Sequence, residues 1–229
     1  MIQAYYREPG ITLFHGDARE VCPALDPCES IITDPVWPNC EHVFPGIDAH
    51  GLLASVLEQL HQAKRAVVHL GCMSDPRFLR AVPSVWPYLR TCYLEYALVG
   101  YAGRVLRDAD VAYVFGEPPK SLPGARVMPG RVIATRTDFK RGHLRGTENV
   151  KNVRALRHPS VRKLEHVRWL VKWFGGSSVL DPFAGSGTTL VACKALGVPV
   201  VGVEIEERYC ELAVKRLAQG VLFGSENAA

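Results

Sequence analysis

The sequence predicts an α/β fold, a doubly wound and mostly parallel sheet with an antiparallel hairpin at its edge, and three observations carry that prediction. Short apolar runs rich in Ile, Val and Tyr alternate with stretches of helical period, the pattern of helices laid over both faces of a sheet. Two of those runs pass straight into tight turns, Asp34-Pro35 and Ala184-Gly185-Ser186-Gly187, at what would be the carboxyl ends of strands. Between Tyr93 and Phe115 two strand-like runs follow one another without a helical period, and Gly100 and Gly103 mark their connection, which makes a hairpin.

Taken in order, seven candidate strands run from Ile11 to Phe14, Ser30 to Thr33, Ala66 to Leu70, Tyr93 to Val99, Asp110 to Phe115, Ser178 to Leu180 and Val198 to Val203. Leu52, Leu53, Val56, Leu57 and Leu60 share one helix face after the second strand, and Tyr209, Leu212, Ala213 and Leu217 share another near the end. Val161 to Phe174 is a third amphipathic stretch, with Ser160 placed as its start signal. From Glu117 to Arg157 the periodicity gives way to Pro, Gly and basic residues, so this segment is expected to be a long, partly irregular insertion. The chain reads as one domain in two halves, 1–116 and 158–220, separated by the 117–157 insertion and followed by a 221–229 tail.

Composition narrows the class. Of 229 residues, 48% are hydrophobic and 22% charged, ordinary for a folded, soluble enzyme. No apolar run reaches the roughly 18 residues of a membrane span, and the polar start lacks a signal-peptide core, so a cytoplasmic protein with no membrane partner is expected. Seven scattered cysteines, none in C-x-x-C spacing, read as reduced thiols rather than disulfides or zinc ligands, and no metal is implied. The net charge is only +4, but it is unevenly distributed: Glu117 to Lys163 holds twelve of the 27 Lys and Arg residues and three of the 23 acids. That segment concentrates the positive potential that a polyanion would meet.

Val179-Leu180-Asp181-Pro182-Phe183-Ala184-Gly185-Ser186-Gly187-Thr188-Thr189-Leu190 is a strand running into a glycine turn that opens a helix. Gly185 and Gly187 let backbone approach a ligand while helix amides face it. Glu204 follows 19 residues after Gly185 at the end of the next strand, where a carboxylate accepts hydrogen bonds from ribose hydroxyls. A phosphate loop would need Gly-Lys-Ser/Thr, which is absent, and Leu190 stands where the dinucleotide fingerprint wants Gly or Ala, so a ligand without pyrophosphate is favoured.

Ser30 to Thr33 reads as a buried strand that Asp34-Pro35-Val36-Trp37 ends. Asp34-Pro35-Val36-Trp37 resembles the Asp-Pro-Pro-Tyr/Phe/Trp motif of amino-group DNA methyltransferases, and Asp181 to Thr189 resembles their cofactor motif. The catalytic motif precedes the cofactor motif with the basic insertion between them, which resembles the permuted β-group order, and the likeness spans nearly the whole chain. It implies a seven-stranded Rossmann-like methyltransferase sheet, S-adenosylmethionine as cofactor and double-stranded DNA as partner. Asp34, Pro35 and Trp37 are then the catalytic residues. An exocyclic amine is a poor nucleophile because its lone pair is delocalised into the ring, so the Asp34 carboxylate and the Pro35 carbonyl would engage its hydrogens while Trp37 stacks on the extruded base. Asp181, Phe183, Gly185, Gly187, Thr188 and Glu204 are the implied cofactor residues. Gly16-Asp17 is similar to the family's Gly-Asp beside the cofactor adenine, which adds Asp17. His158-Pro159-Ser160-Val161-Arg162 is similar to its His-Pro-Thr-x-Lys segment, which adds Ser160 at the methionine end.

Two positions depart from the pattern: Val36 replaces a proline, and Lys163 stands where a proline usually follows the basic residue. A motif that begins with Asp favours adenine N6 over cytosine N4 as the acceptor, and Val36 motivates a second alternative, a catalytically silent DNA-binding protein on the same fold. In the insertion, Arg131, Arg136, Lys140, Arg141 and Arg145 are the expected DNA contacts. Its shortness points to a homodimer, because a single copy would cover little DNA.

Overall fold

The computed structural model describes residues 2–38, 46–125, 127–134 and 162–219. Its nine-stranded sheet has the order β1-β2-β9-β8-β3-β4-β6-β5-β7. The strands are β1 (Tyr6–Glu8), β2 (Ile11–His15), β3 (Ser30–Thr33), β4 (Arg65–Leu70), β5 (Tyr88–Ala102), β6 (Val105–Gly116), β7 (Arg131–Ala134), β8 (Val179–Asp181) and β9 (Val200–Glu204). Helices α1 (Ala18–Val21), α2 (Ala49–Gln59), α3 (Leu164–Phe174), α4 (Thr188–Leu196) and α5 (Glu207–Ala218) cover it.

From β2 through β9, β8 and β3 to β4 every neighbouring pair is parallel, and the other half begins where β6 pairs antiparallel with β4. The central strands are buried along their whole length, β3 in Ser30–Thr33 and β4 in Arg65–Leu70, because helices lie on both faces. Successive residues alternate between those faces. Ile32 and Val67 pack with Val167, Leu170 and Phe174 of α3, while Ile31, Ala66 and Val68 pack with Leu53 and Leu57 of α2. The sheet is therefore doubly wound, as the sequence predicts.

All seven predicted strands form, and two short ones are added at the margins. β1 pairs antiparallel with β2, and β7 lies parallel to β5 outside the hairpin, so the β5–β6 hairpin stands one position in from the edge. β7 belongs to the basic insertion: four residues of a segment expected to be irregular extend the sheet, with Ala134 buried and Val132 packed against the core. Helix α3 starts at Leu164 rather than Val161, and its N-cap, Lys163, makes no side-chain capping bond. Ser160 lies outside the described residues. Among those residues no helix is long and apolar enough to cross a membrane.

Candidate active site

The parallel strands deliver their chemistry at one end. Asp17 follows β2, Asp34 follows β3, Gly71 follows β4, the glycine turn follows β8, and Glu204 closes β9. β3 and β8 are direct neighbours, with Ser30 opposite Val179 and Ile31 opposite Leu180, so the two sequence motifs leave adjacent strands side by side. A hydrogen bond joins them further: the Thr33 hydroxyl donates to Asp181 Oδ1 at 2.9 Å, and Phe183 N donates to the same oxygen at 3.1 Å.

Two cavities open there. The larger, of about 620 Å³, has Asp17, Pro35, Trp37, Glu204 and Tyr209 in its wall, and the smaller, of about 70 Å³, has His69, Asp181, Ser186 and Thr188. Asp34, Arg162, Phe183 and Gly185 line both. The carboxylate of the tetrapeptide and the glycine turn thus face one connected space, although 150 residues separate them in the chain.

The turn is built from backbone. Gly185 adopts φ 51° and Gly187 φ 76°, a region that side chains with a Cβ rarely occupy. Ala184 N donates to Val203 O at 2.9 Å, and Gly185 N donates to Glu204 Oε2 at 2.7 Å, which ties the turn to β9. Gly187 lines neither cavity. It lets α4 approach α5, since a Cβ there would sit 2.7 Å from the Ala213 Cβ. Arg216 of α5 holds the turn from behind, its Nη1 donating to Ser186 O at 2.6 Å, Ser186 Oγ at 2.9 Å and Thr188 Oγ1 at 3.0 Å.

The acids of this half are unusual. Burial pushes the Glu204 carboxyl up to about 7, although the amides of Glu206 and Gly185 oppose the shift. Asp181 rises to about 6 for the same reason, against the Thr189 and Thr33 hydroxyls. Asp17 is already engaged, capping α1 through Arg19 N and pairing with the Arg19 guanidinium at the cavity mouth.

On the catalytic side a charge cluster appears that the sequence reading did not foresee. Arg162 grips both oxygens of Asp34, Nε to Oδ2 at 2.7 Å and Nη2 to Oδ1 at 2.9 Å, and its Nη1 donates to Asp110 Oδ2 at 2.9 Å. The Tyr96 hydroxyl donates to that Asp110 oxygen, and His69 Nε2 faces it at 3.5 Å. Burial works against the ionisation of Asp110, but His69, Arg162 and Tyr96 outweigh it and hold the carboxyl below the ordinary range. Burial pushes the His69 pKa down. Burial pushes the Asp34 carboxyl above the ordinary range, against the pull of Arg162 and His69. The Trp37 ring lies under Arg162, 4.2 Å from ring centroid to guanidinium carbon, and its edge occupies the space that a side chain at position 71 would fill. A Cβ on Gly71 would come within 2.5 Å of that ring.

Of the expected site residues, Asp34, Pro35, Trp37, Asp17, Asp181, Phe183, Gly185, Thr188 and Glu204 line these cavities. Of the expected DNA contacts, Arg131 is described, and it pairs with Glu95 on the exposed surface of β5 and β7 at 3.5 Å. Arg136, Lys140, Arg141 and Arg145 lie outside the described residues, as does Ser160. Arg162, Asp110, His69, Tyr96, Gly71 and Arg216 were missed. Only Arg162 left a trace, as the basic residue closing His158-Pro159-Ser160-Val161-Arg162; the others come from β4 and the residue after it, β5, β6 and α5, and only the fold assembles them.

Comparison with known proteins agrees with this geometry. Residues 154–215 match the N6_N4_Mtase family model, described as DNA methylase. The Type II methyltransferase M2.LlaDCHI of Lactococcus lactis subsp. cremoris is 48% identical over 46 residues, 20% of this chain and 17% of that protein. The Type II methyltransferase M.HinfI of Haemophilus influenzae is 36% identical over 77 residues, 32% of this chain and 21% of that protein. The chain thus spans about a fifth of the length of the curated relatives it matches. Among solved structures, the M1.HpyAVI–SAM complex superposes with a TM-score of 0.66 at 20% identity, covering 90% of this chain and 98% of that one. The PvuII DNA methyltransferase, cytosine-N4-specific, superposes with a TM-score of 0.61 at 14% identity, covering 95% and 88%. Over residues 154–215 the chain is thus similar to DNA methylases, and its fold is that of the solved DNA methyltransferases; the relatives do not decide between adenine and cytosine types.

Proposed function

We propose that the chain transfers a methyl group from S-adenosylmethionine to an exocyclic amino nitrogen in double-stranded DNA, with adenine N6 as the favoured acceptor and an extruded base as the substrate. One observation supports this above the rest: Asp34 and Gly185 line the same two cavities, so a methyl acceptor held by the first and a cofactor held by the second would meet. The cofactor fits the residues present. A cavity of about 620 Å³ lies within the range of small-molecule sites, and Glu204 offers a buried acceptor for ribose hydroxyls. When bound, that cofactor supplies an electrophilic methyl carbon.

The chain's residues would do the rest by position and charge. Asp34 and the Pro35 carbonyl accept hydrogen bonds from the two amine hydrogens, which draws the nitrogen lone pair out of conjugation with the ring. The nitrogen would take the methyl as its bond to the cofactor's sulfur breaks and a neutral thioether leaves, the amine would give one proton by way of Asp34 to solvent, and no covalent enzyme intermediate is needed. Trp37 stacks on the base once it has left the helix, at a cost of a few kcal/mol in lost pairing and stacking. The basic insertion, 117–157, would neutralise phosphates and read base edges, with Arg131, Arg136, Lys140, Arg141 and Arg145 as its cations.

Incubation of the purified protein with duplex DNA and methyl-labelled cofactor tests the reading, and mass spectrometry of the digested nucleosides tells N6-methyladenine from N4-methylcytosine. The expected product is N6-methyladenine. Label in N4-methylcytosine would correct the acceptor, and DNA binding without transfer would favour the silent alternative. A homodimer is also proposed, and light scattering with and without a duplex would refute it if the protein stays monomeric in both.

A further inference from the structure

Arg162 has no part in the reaction as proposed, yet it touches both side chains that would receive the base. All three of its guanidinium nitrogens are committed: Nε and Nη2 to the two oxygens of Asp34, and Nη1 to Asp110. Only 8% of its side chain is exposed, against 27% for Asp34, which opens onto the cavities. The same group lies 4.2 Å from the Trp37 ring centroid. Asp110 is anchored in turn by the Tyr96 hydroxyl and by Cys72 N at 3.3 Å. A planar cation bound in this way has little freedom of its own, and it passes that restriction to what it touches.

We infer that Arg162 is a positioning residue for methyl transfer, fixing the plane of the Asp34 carboxylate and the tilt of the Trp37 ring together, with Asp110 as its anchor. A side-on fork uses one lone pair on each Asp34 oxygen and leaves another on each for an incoming amine hydrogen. Acceptor and stacking surface are thereby set relative to each other before any base arrives. Lysine would hold the two less firmly, because a point charge does not define a plane as a guanidinium fork does. The inference rests on the proposed roles of Asp34 and Trp37.

The competing role is structural, closing the end of the sheet without affecting transfer. Single-turnover transfer rates, cofactor affinity, melting temperature and pH–rate profiles separate the two. Arg162→Lys is expected to lower the rate constant about 10-fold and Arg162→Met about 100-fold, with cofactor affinity changed less than about 3-fold. Burial pushes the Asp34 carboxyl above the ordinary range; of the groups that face it, Arg162, His69 and Asp110, Arg162 most opposes that rise. Removing Arg162 should therefore move the acidic limb of the profile to higher pH, a change that a purely structural role would not produce.

Should Arg162→Met fail to fold, the double variant Arg162→Met/Asp110→Asn decides. It removes one buried charge of each sign, keeps the cluster's net charge, and is expected to be slowed about 100-fold as well. Wild-type rates and an unmoved acidic limb in Arg162→Lys and in the double variant would overturn the inference. Asp34→Ala, measured alongside, keeps the two levels apart. If it transfers normally, the proposed chemistry fails; if it is inactive while the Arg162 variants are unaffected, only the positioning role fails.

Discussion

The loop after β3 and the turn after β8 leave neighbouring strands and face one space, but they are held in place by different means. The turn rests chiefly on backbone: two glycines at positive φ, amide hydrogen bonds to β9, and a close approach of α4 to α5, with Arg216 behind it. The loop rests on side-chain charge, a carboxylate gripped by a guanidinium that is itself tethered to another carboxylate. A backbone device is local and leaves its signature in consecutive residues. A charge network gathers partners from across the chain and leaves almost none.

The comparison can be broken most directly at Asp34. Asp34→Ala is expected to reduce methyl transfer at least about 100-fold, in line with the loss of a preorganised electrostatic contact, while cofactor binding measured by calorimetry stays near normal. Equal losses of binding and transfer would mean that the loop and the turn form one unit.

Damage to the turn should appear as stability. Gly187→Ala places a Cβ 2.7 Å from the Ala213 Cβ at φ 76°, an overpacking cost of about 1–3 kcal/mol. At roughly 2–4 °C per kcal/mol for a domain of this size, the melting temperature should fall by several degrees. An unchanged melting temperature would show that α5 gives way easily.

Glu204 sharpens the contrast through pH. Its folded pKa of about 7 lies above the 4.5 of the free side chain, so its contribution to stability is fully present below pH 4.5 and is lost as pH rises through 7. Cofactor affinity should run the other way if the ionised carboxylate accepts from the ribose hydroxyls as proposed; it is expected to rise up to about tenfold per pH unit on approaching 7. Glu204→Gln should remove both slopes, and a retained slope in cofactor titrations would assign the titration to another group.

The smallest effect belongs to neither region. Arg131 is exposed and loosely paired, so Arg131→Ala should leave the melting temperature unchanged, weaken DNA binding on all sequences and lower the salt slope of binding by about one. A change confined to one DNA sequence would instead make Arg131 a base reader.

How much was legible follows the same division. Alternating apolar runs announced the seven main strands, because central strands buried on both faces must be apolar. Asp34-Pro35 and Gly185 to Gly187 were readable because proline and glycine carry their backbone consequences with them. β7 was hidden inside a Pro- and Gly-rich segment, and its four residues gain strand character only by pairing with β5. Arg162 was visible as a basic residue after Ser160, but its partners Asp34 and Asp110 lie 128 and 52 residues away, and nothing local predicts either pairing. Gly71 and Gly187 show the same limit: both contacts are tertiary, with Trp37 and Ala213.

The pairing of β3 with β8 has a consequence for how such a chain can diversify. Everything between the two strands departs from one rung of the sheet and returns to the next, with Ser30 set opposite Val179. The two motifs therefore leave the sheet one strand spacing apart, about 4.8 Å, whatever the length of chain that joins them. If the basic stretch within that excursion presents DNA as proposed, exchanging it would alter target choice while the β3–β8 pairing beneath the two motifs stays as it was.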